Sequence, residues 1–356
     1  MLEVEVFDDV FRPDELDEIH QVRRSFPAYI PSGRKMPKGR RPPHPARPLT
    51  TQQLEFAPQL GGRADVGRYV RRLSQHMFNS TGEREALGHT SYLRGNYVIR
   101  GQPVIDGMEG FLHNDRLADL ALGVYDADRV VPYAVYANVF LPGQVLHPHT
   151  DIPAFRGAEL GQLPSWLLVA MHHSGLFEQW RLPVATVIGH PTSREGAGGE
   201  FSYYPQSKAA PATVTLDPPF NSVVILDADT IFHRVDQVAG ETSLLPEVQR
   251  GAFLVPAGAD LWQLHQQDRA DSPLATFSSD ELRFTISWKA YCFAGEAAQR
   301  RWAEHTDDLA IDDVIPTLTE LLRDRGVLAG SDDGLDEGEL AAVIIDELIP
   351  FPPPGT

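Results

Sequence analysis

Residues 133–157 read YAVYANVFLPGQVLHPHTDIPAFRG. The first part, rich in Val, Tyr and Phe, predicts a buried β-strand, and Pro142-Gly143 breaks it with a turn. Beyond the turn come His147, His149 and Asp151. Side chains two apart on an extended chain leave the same face, so His149 and Asp151 present one imidazole and one carboxylate together. A second imidazole would complete a 2-His-1-carboxylate set, which holds non-haem Fe(II) and leaves positions open. His233, in VVILDADTIFHRVDQV, follows another strand-like run and is the best candidate for it. His147 shares the face of His149 without a carboxylate at the right spacing. It reads as a pocket residue beside the ligands or the substrate.

Composition bounds the remaining choices. The 356 residues allow one large domain or two smaller ones. Cys292 is the single cysteine, which excludes a disulfide framework and any thiolate metal site and suits a reducing compartment. Any metal must be held by His and carboxylates. No basic-then-apolar leader is apparent and no apolar run approaches ~18 residues, so a cytoplasmic protein with no membrane partner is expected. The net charge of −18 argues against nucleic acid as a partner. The charge is uneven: residues 301–350 carry 14 Asp and Glu against three Arg, whereas residues 33–47 hold six Lys and Arg and no acid. The basic stretch, rich in Pro and Gly, reads as a solvated loop; a lid or an anion contact is the sharper alternative.

The chain opens as a short strand and then a helix, with Pro13 at its first position and Asp14 and Glu15 at its positive end. Residues 67–78 have helical character and TSYLRGNYVIRG strand character. Residues 109–122 predict one amphipathic helix. His113-Asn114-Asp115 repeats the HxD spacing inside it, but residues two apart on a helix do not share a face, so it is set aside as a metal site. The run at 164–177 is too uniformly apolar for periodicity to separate strand from helix. Its adjacent His172 and His173 read as structural or pocket-lining. Short strands are expected at 183–190, 200–204 and in two runs within 211–238. Residues 239–280 read as a long, mostly polar insertion, and 282–293 (LRFTISWKAYCF) as the last core strand. Helices follow at 296–305, 311–325 and 337–348.

Short strands joined by turns and flanked by helices predict a mainly β core. The expected class is a double-stranded β-helix, jelly-roll or cupin-like, with N- and C-terminal helices. Residues 1–294 would form this domain. Residues 295–356 would form an acidic helical extension packed on it or on a second copy in a homodimer.

The pattern resembles the Fe(II)- and 2-oxoglutarate-dependent dioxygenases over roughly residues 133–293. His149 and Asp151 match the HxD pair, and His233 matches the distal histidine. GGEFSYYP resembles the Gly-Gly-Glu strand between them, and Arg283 with Thr285 matches the RxT that opens the last core strand. The resemblance implies Fe(II) held by His149, Asp151 and His233, with 2-oxoglutarate and O2 as co-substrates. The distal carboxylate of 2-oxoglutarate would lie on Arg283, whose guanidinium can give two parallel hydrogen bonds, and on Thr285. Tyr136 and Asn138 would also contact this co-substrate. Arg283 stands 50 residues beyond His233, much further than in many members. Arg250, 17 beyond, competes for the role, but Arg283 alone opens a strand-like run. Arg156, on the loop after the motif, is a candidate contact for a substrate carboxylate. A carboxylate at Asp151, rather than Gly or Ala, implies oxidation without halide. The expected reaction is hydroxylation or another oxidation of an unactivated C–H bond in a small molecule such as an amino acid or secondary metabolite, releasing succinate and CO2. A protein or peptide side-chain hydroxylase, or a cupin-like metal-binding protein without turnover, are the alternatives.

Overall fold

The last core strand lies at the centre of the molecule. It spans Arg283–Phe293 and is buried at ten of its 11 positions, as a strand covered on both faces must be. The computed structural model describes residues 4–31, 92–159, 162–193, 197–205, 213–240, 252–266, 272–329, 335 and 337–350. The basic loop at 33–47, the expected helix at 67–78, Arg250 and residues 351–356 lie outside them.

In chain order the strands are β1 (Glu5–Phe7), β2 (Ile30–Pro31), β3 (Leu93–Ile99), β4 (Gln102–Pro103), β5 (Arg129–Phe140), β6 (Leu146–His149), β7 (Ala154–Phe155), β8 (Arg181–Leu182), β9 (Val184–His190), β10 (Phe201–Tyr203), β11 (Val214–Leu216), β12 (Ser222–Leu226), β13 (His233–Val235), β14 (Ala252–Pro256), β15 (Leu261–Gln266), β16 (Ala275–Ser278) and β17 (Arg283–Phe293). The helices are α1 (Pro13–Ser25), α2 (Glu109–Leu112), α3 (Asp115–Tyr125), α4 (Ser165–Ser174), α5 (Glu296–Glu304), α6 (Val314–Asp324) and α7 (Glu337–Leu348).

A large antiparallel sheet runs β1-β12-β9-β17-β5-β3-β2, with β4 on β3, and a smaller one runs β11-β10-β13-β6. Side chains from β3, β5, β9 and β17 of the first line one cavity with side chains from β6, β10 and β13 of the second, so the sheets face each other. This is the expected jelly-roll arrangement. The outer face of the large sheet is covered by α1 to α3, which share its apolar core, and the Trp288 indole N–H donates to the Leu112 carbonyl at 2.8 Å. A second apolar cluster joins α4 to α6 and α7 through Trp166, Leu318 and Ile344. α5 lies on β17, where Trp302 meets Tyr291 and Phe293 at ring distances of 5.3 and 5.4 Å.

Two expectations change and one open reading is settled. Residues 109–122 form two helices, because the buried Asn114 side chain accepts from the Leu117 N–H at 3.0 Å and caps α3. The exposed His113 and Asp115 thus flank a cap. The uniformly apolar run at 164–177 is helix α4, closed by Gly175 in the left-handed region. Residues 239–280 are not a polar insertion throughout, since β14, β15 and β16 form an antiparallel sheet of their own. Its Leu254, Trp262 and Leu264 alternate inward onto the core around Tyr29.

Candidate metal centre

His149 ends β6 and His233 begins β13, and the two are direct antiparallel partners. Asp151 follows two residues after β6, its backbone N–H donating to the Ala228 carbonyl at 2.7 Å. One ligand atom from each of His149, Asp151 and His233 lies within 4.8 Å of the others. The turn at residues 227–231 thus braces two of the three. It holds Asp151 through Ala228, and its Ile231 carbonyl accepts from Nδ1 of His233 at 2.9 Å. That bond fixes the tautomer and leaves Nε2 with its lone pair for a metal.

The electrostatics suit a cation ligand set. Burial lowers the His233 pKa more than Asp151 raises it, so the ring is neutral, as a ligand must be. Burial would raise the Asp151 carboxyl, but Lys289 and the two histidines more than reverse this and hold it well below the usual carboxylate range. The Lys289 ammonium donates to Asp151 Oδ2 at 2.5 Å. It reaches this position beside a bulge: Tyr133 is left unpaired where Lys289 faces Ala134 and Ala290 faces Pro132. Pro132, with no N–H to offer, is tolerated in a central strand for the same reason.

Arg283, Thr285, Tyr136 and Asn138 all line the cavity with the triad. Arg283 is 5% exposed and its Nε donates to the Gly199 carbonyl at 2.6 Å, with Phe140 beneath the guanidinium at 5.3 Å. The Gly-Gly run has a reason here. Gly199 has φ +77° and a Cβ on it would fall 2.7 Å from Arg283 Cδ, while Gly198 has φ +67° and a Cβ would fall 2.5 Å from the Gln237 carbonyl.

Other expected residues lie elsewhere. The Arg156 guanidinium is held by Asp307 at 2.8 and 3.1 Å and by the Gln179 carbonyl at 2.6 Å, and it does not line this cavity. His147 sits on β6; its side chain is outside the described part. His172 bonds Thr230, itself tied to the Arg181–Asp227 pair, and His173 stacks on Phe232, so both pack against the turn that leads to His233. None of the described residues of 239–280 lines the cavity. The sequence reading missed Lys289 and Arg94. Both carry a faint signal: Lys289 continues the every-second-residue polar face that begins with Arg283, Thr285 and Ser287, and Arg94 is the one charged residue of its strand.

The triad fits the HxD…H pattern in sequence and in space. No helix among the described residues is long and apolar enough to cross a membrane. No family model and no curated protein matches the chain. Among solved structures, it is similar to an oxidoreductase of the 2OG-Fe(II) oxygenase family from Burkholderia pseudomallei, with 10% identity over 66% of this chain and 83% of that one and a TM-score of 0.33. It is similar to a Pseudomonas putida prolyl-4-hydroxylase at 10% identity, covering 65% and 85%, TM-score 0.30. It is also similar to HygX from Streptomyces hygroscopicus, with nickel and 2-oxoglutarate bound, at 12% identity, covering 69% and 88%, TM-score 0.31.

Proposed function

We propose that this chain is an Fe(II)- and 2-oxoglutarate-dependent oxygenase that hydroxylates, or otherwise oxidises, an unactivated C–H bond of a small molecule, with release of succinate and CO2. One observation carries the reading. Two imidazoles and a carboxylate from separate segments converge in a cavity that also holds a buried arginine on the opposite sheet.

The residues fit the groups this chemistry needs. His149, Asp151 and His233 would hold Fe(II), and bound iron supplies the O2 chemistry that side chains lack. A neutral His233 and a carboxylate kept ionised by Lys289 are ready to ligate without losing protons. Arg283 and Thr285 stand next to each other on the inward face of β17 and would bind the distal carboxylate of 2-oxoglutarate. Their burial keeps water from that contact and strengthens it. Arg156, occupied by Asp307, has no part in substrate binding in this reading. An amino acid or secondary metabolite is the class of substrate in this reading, and the single, buried cysteine suits a reducing, cytoplasmic setting.

Addition of Fe(II) and then 2-oxoglutarate to the anaerobic protein should produce a weak visible charge-transfer band that requires both. His149→Ala, Asp151→Ala and His233→Ala should abolish it. Arg283→Met should raise the 2-oxoglutarate requirement on the order of 30-fold, about 2 kcal/mol, as expected when one partner of a buried charge pair is truncated. Iron bound to wild-type protein without any band would sink the 2-oxoglutarate reading.

A further inference from the structure

We propose that Arg94 is a second carboxylate-binding residue of this cavity, distinct from Arg283. It stands on β3 in one cross-strand row with Asn138 of β5 and Thr285 of β17, and it lines the cavity with the triad. Its orientation is fixed from three sides. Nε donates to Asn138 Oδ1 at 3.0 Å, Nη2 donates to the Tyr92 hydroxyl at 2.8 Å, and the Tyr136 ring lies 4.0 Å from the guanidinium carbon. None of these contacts uses Nη1, and none carries a negative charge.

Apart from Arg283, four cations near the site each have an acid. Lys289 has Asp151, Arg181 has Asp227, Arg234 has Asp236 and Arg156 has Asp307. Among the described residues no carboxylate forms a direct ion pair with Arg94; Asp151, in the same cavity, acts on it only at a distance and is held by Lys289. A guanidinium cannot lose its proton, and taking one out of water is costly until an anion meets it. Aromatic and amide groups hold this one flat and aimed, which is how a planar fork is prepared for a carboxylate. Tyr136 and Asn138 therefore act through Arg94.

The inference rests on the proposed function for the identity of the occupant. Arg283 takes the distal carboxylate of 2-oxoglutarate, so the carboxylate at Arg94 is either the 1-carboxylate of the same molecule or one carried by the substrate. The test uses the full chain, anaerobic with Fe(II), and follows the charge-transfer band in wild type, Arg94→Met and Arg94→Lys. Circular dichroism checks folding, and Arg94→Gln replaces the Met variant if that fails to fold. Propionate serves as a probe for a second carboxylate.

A rise of roughly tenfold or more in half-saturating 2-oxoglutarate for Arg94→Met, partly recovered in Arg94→Lys, assigns the 1-carboxylate. Unchanged 2-oxoglutarate binding, with a propionate-induced shift of the band present in wild type and lost in Arg94→Met, assigns a carboxylate of the substrate. Identical 2-oxoglutarate and propionate behaviour in wild type and Arg94→Met overturns the proposal. Absence of the band in wild type overturns the cofactor reading by itself. Calorimetry of 2-oxoglutarate and propionate on the metal-free protein then decides Arg94: binding lost in Arg94→Met supports it, and no binding or equal binding removes it.

Discussion

Lys289 is the residue whose removal separates two accounts of the iron site. Its ammonium lies on Oδ2 of Asp151, and its side chain is 11% exposed. One account makes it an orienting partner, which keeps one oxygen engaged and turns the other toward the metal. The other makes it a cation competing with the metal for the same carboxylate. Partners behind a ligand typically contribute about 10–100-fold in metal affinity. Lys289→Met is therefore expected to weaken Fe(II) binding by that factor in an anaerobic titration, with partial recovery in Lys289→Arg. Tighter binding in Lys289→Met would establish competition instead. The lysine was within reach of the sequence. Arg283, Thr285, Ser287 and Lys289 occupy every second position of a strand whose other face is Phe284, Ile286, Trp288 and Ala290. Period two places all four polar groups inward, yet the resemblance named only the first two. What the sequence cannot show is that Asp151, from the opposite sheet, comes to rest against the fourth.

At the scale of elements, the loop before β10 positions the start of β17. Arg283 leans on the Gly199 carbonyl, and only a residue without Cβ permits that approach at φ +77°. Gly199→Ala adds backbone strain of about 1–3 kcal/mol and pushes on the Arg283 side chain. The expected result is a 2-oxoglutarate requirement raised roughly tenfold with Fe(II) affinity unchanged, since the triad stands on β6, β13 and the 227–231 turn. Equal losses in iron and 2-oxoglutarate binding would instead mean that the variant disturbs the whole sheet. Elements with a local signature were legible. β5, β12 and β17 are dense in β-branched and aromatic residues, and α1 has its Pro13 and acidic first turn. The break between α2 and α3 is hidden in the sequence because Asn114, which caps α3, lies inside a continuous helical period. The sheet β14-β15-β16 is hidden because β15 and β16 carry polar residues on the outward face and the apolar run of β14 is only five residues long. Its few inward residues show their purpose only when they meet Tyr29, far away in sequence.

On the scale of the whole molecule, folding encloses several histidines that an unfolded chain would expose. Burial, with Arg283 adding to it, lowers His190 to about 3; burial, with Arg181 adding to it, lowers His172 to about 2 and His173 to about 4. In each case the folded state binds its proton less readily than the unfolded state, whose histidines titrate near 6.5. The stabilising difference is therefore fully present above pH 6.5 and is lost as pH falls toward the folded values. Between pH 7.5 and pH 5 each such histidine removes up to about 2 kcal/mol. Urea unfolding of the metal-free full chain should show a marked loss over this interval, before most carboxylates titrate. His190 ends β9 beside Arg283 and does not line the cavity that holds the metal ligands. His190→Gln should make the decline shallower by about 2 kcal/mol without changing Fe(II) binding. A wild-type stability flat from pH 7.5 to pH 5 would contradict the burial of these rings as neutral groups. A slope unaltered by His190→Gln would move the effect to His172 and His173, behind the turn that carries His233.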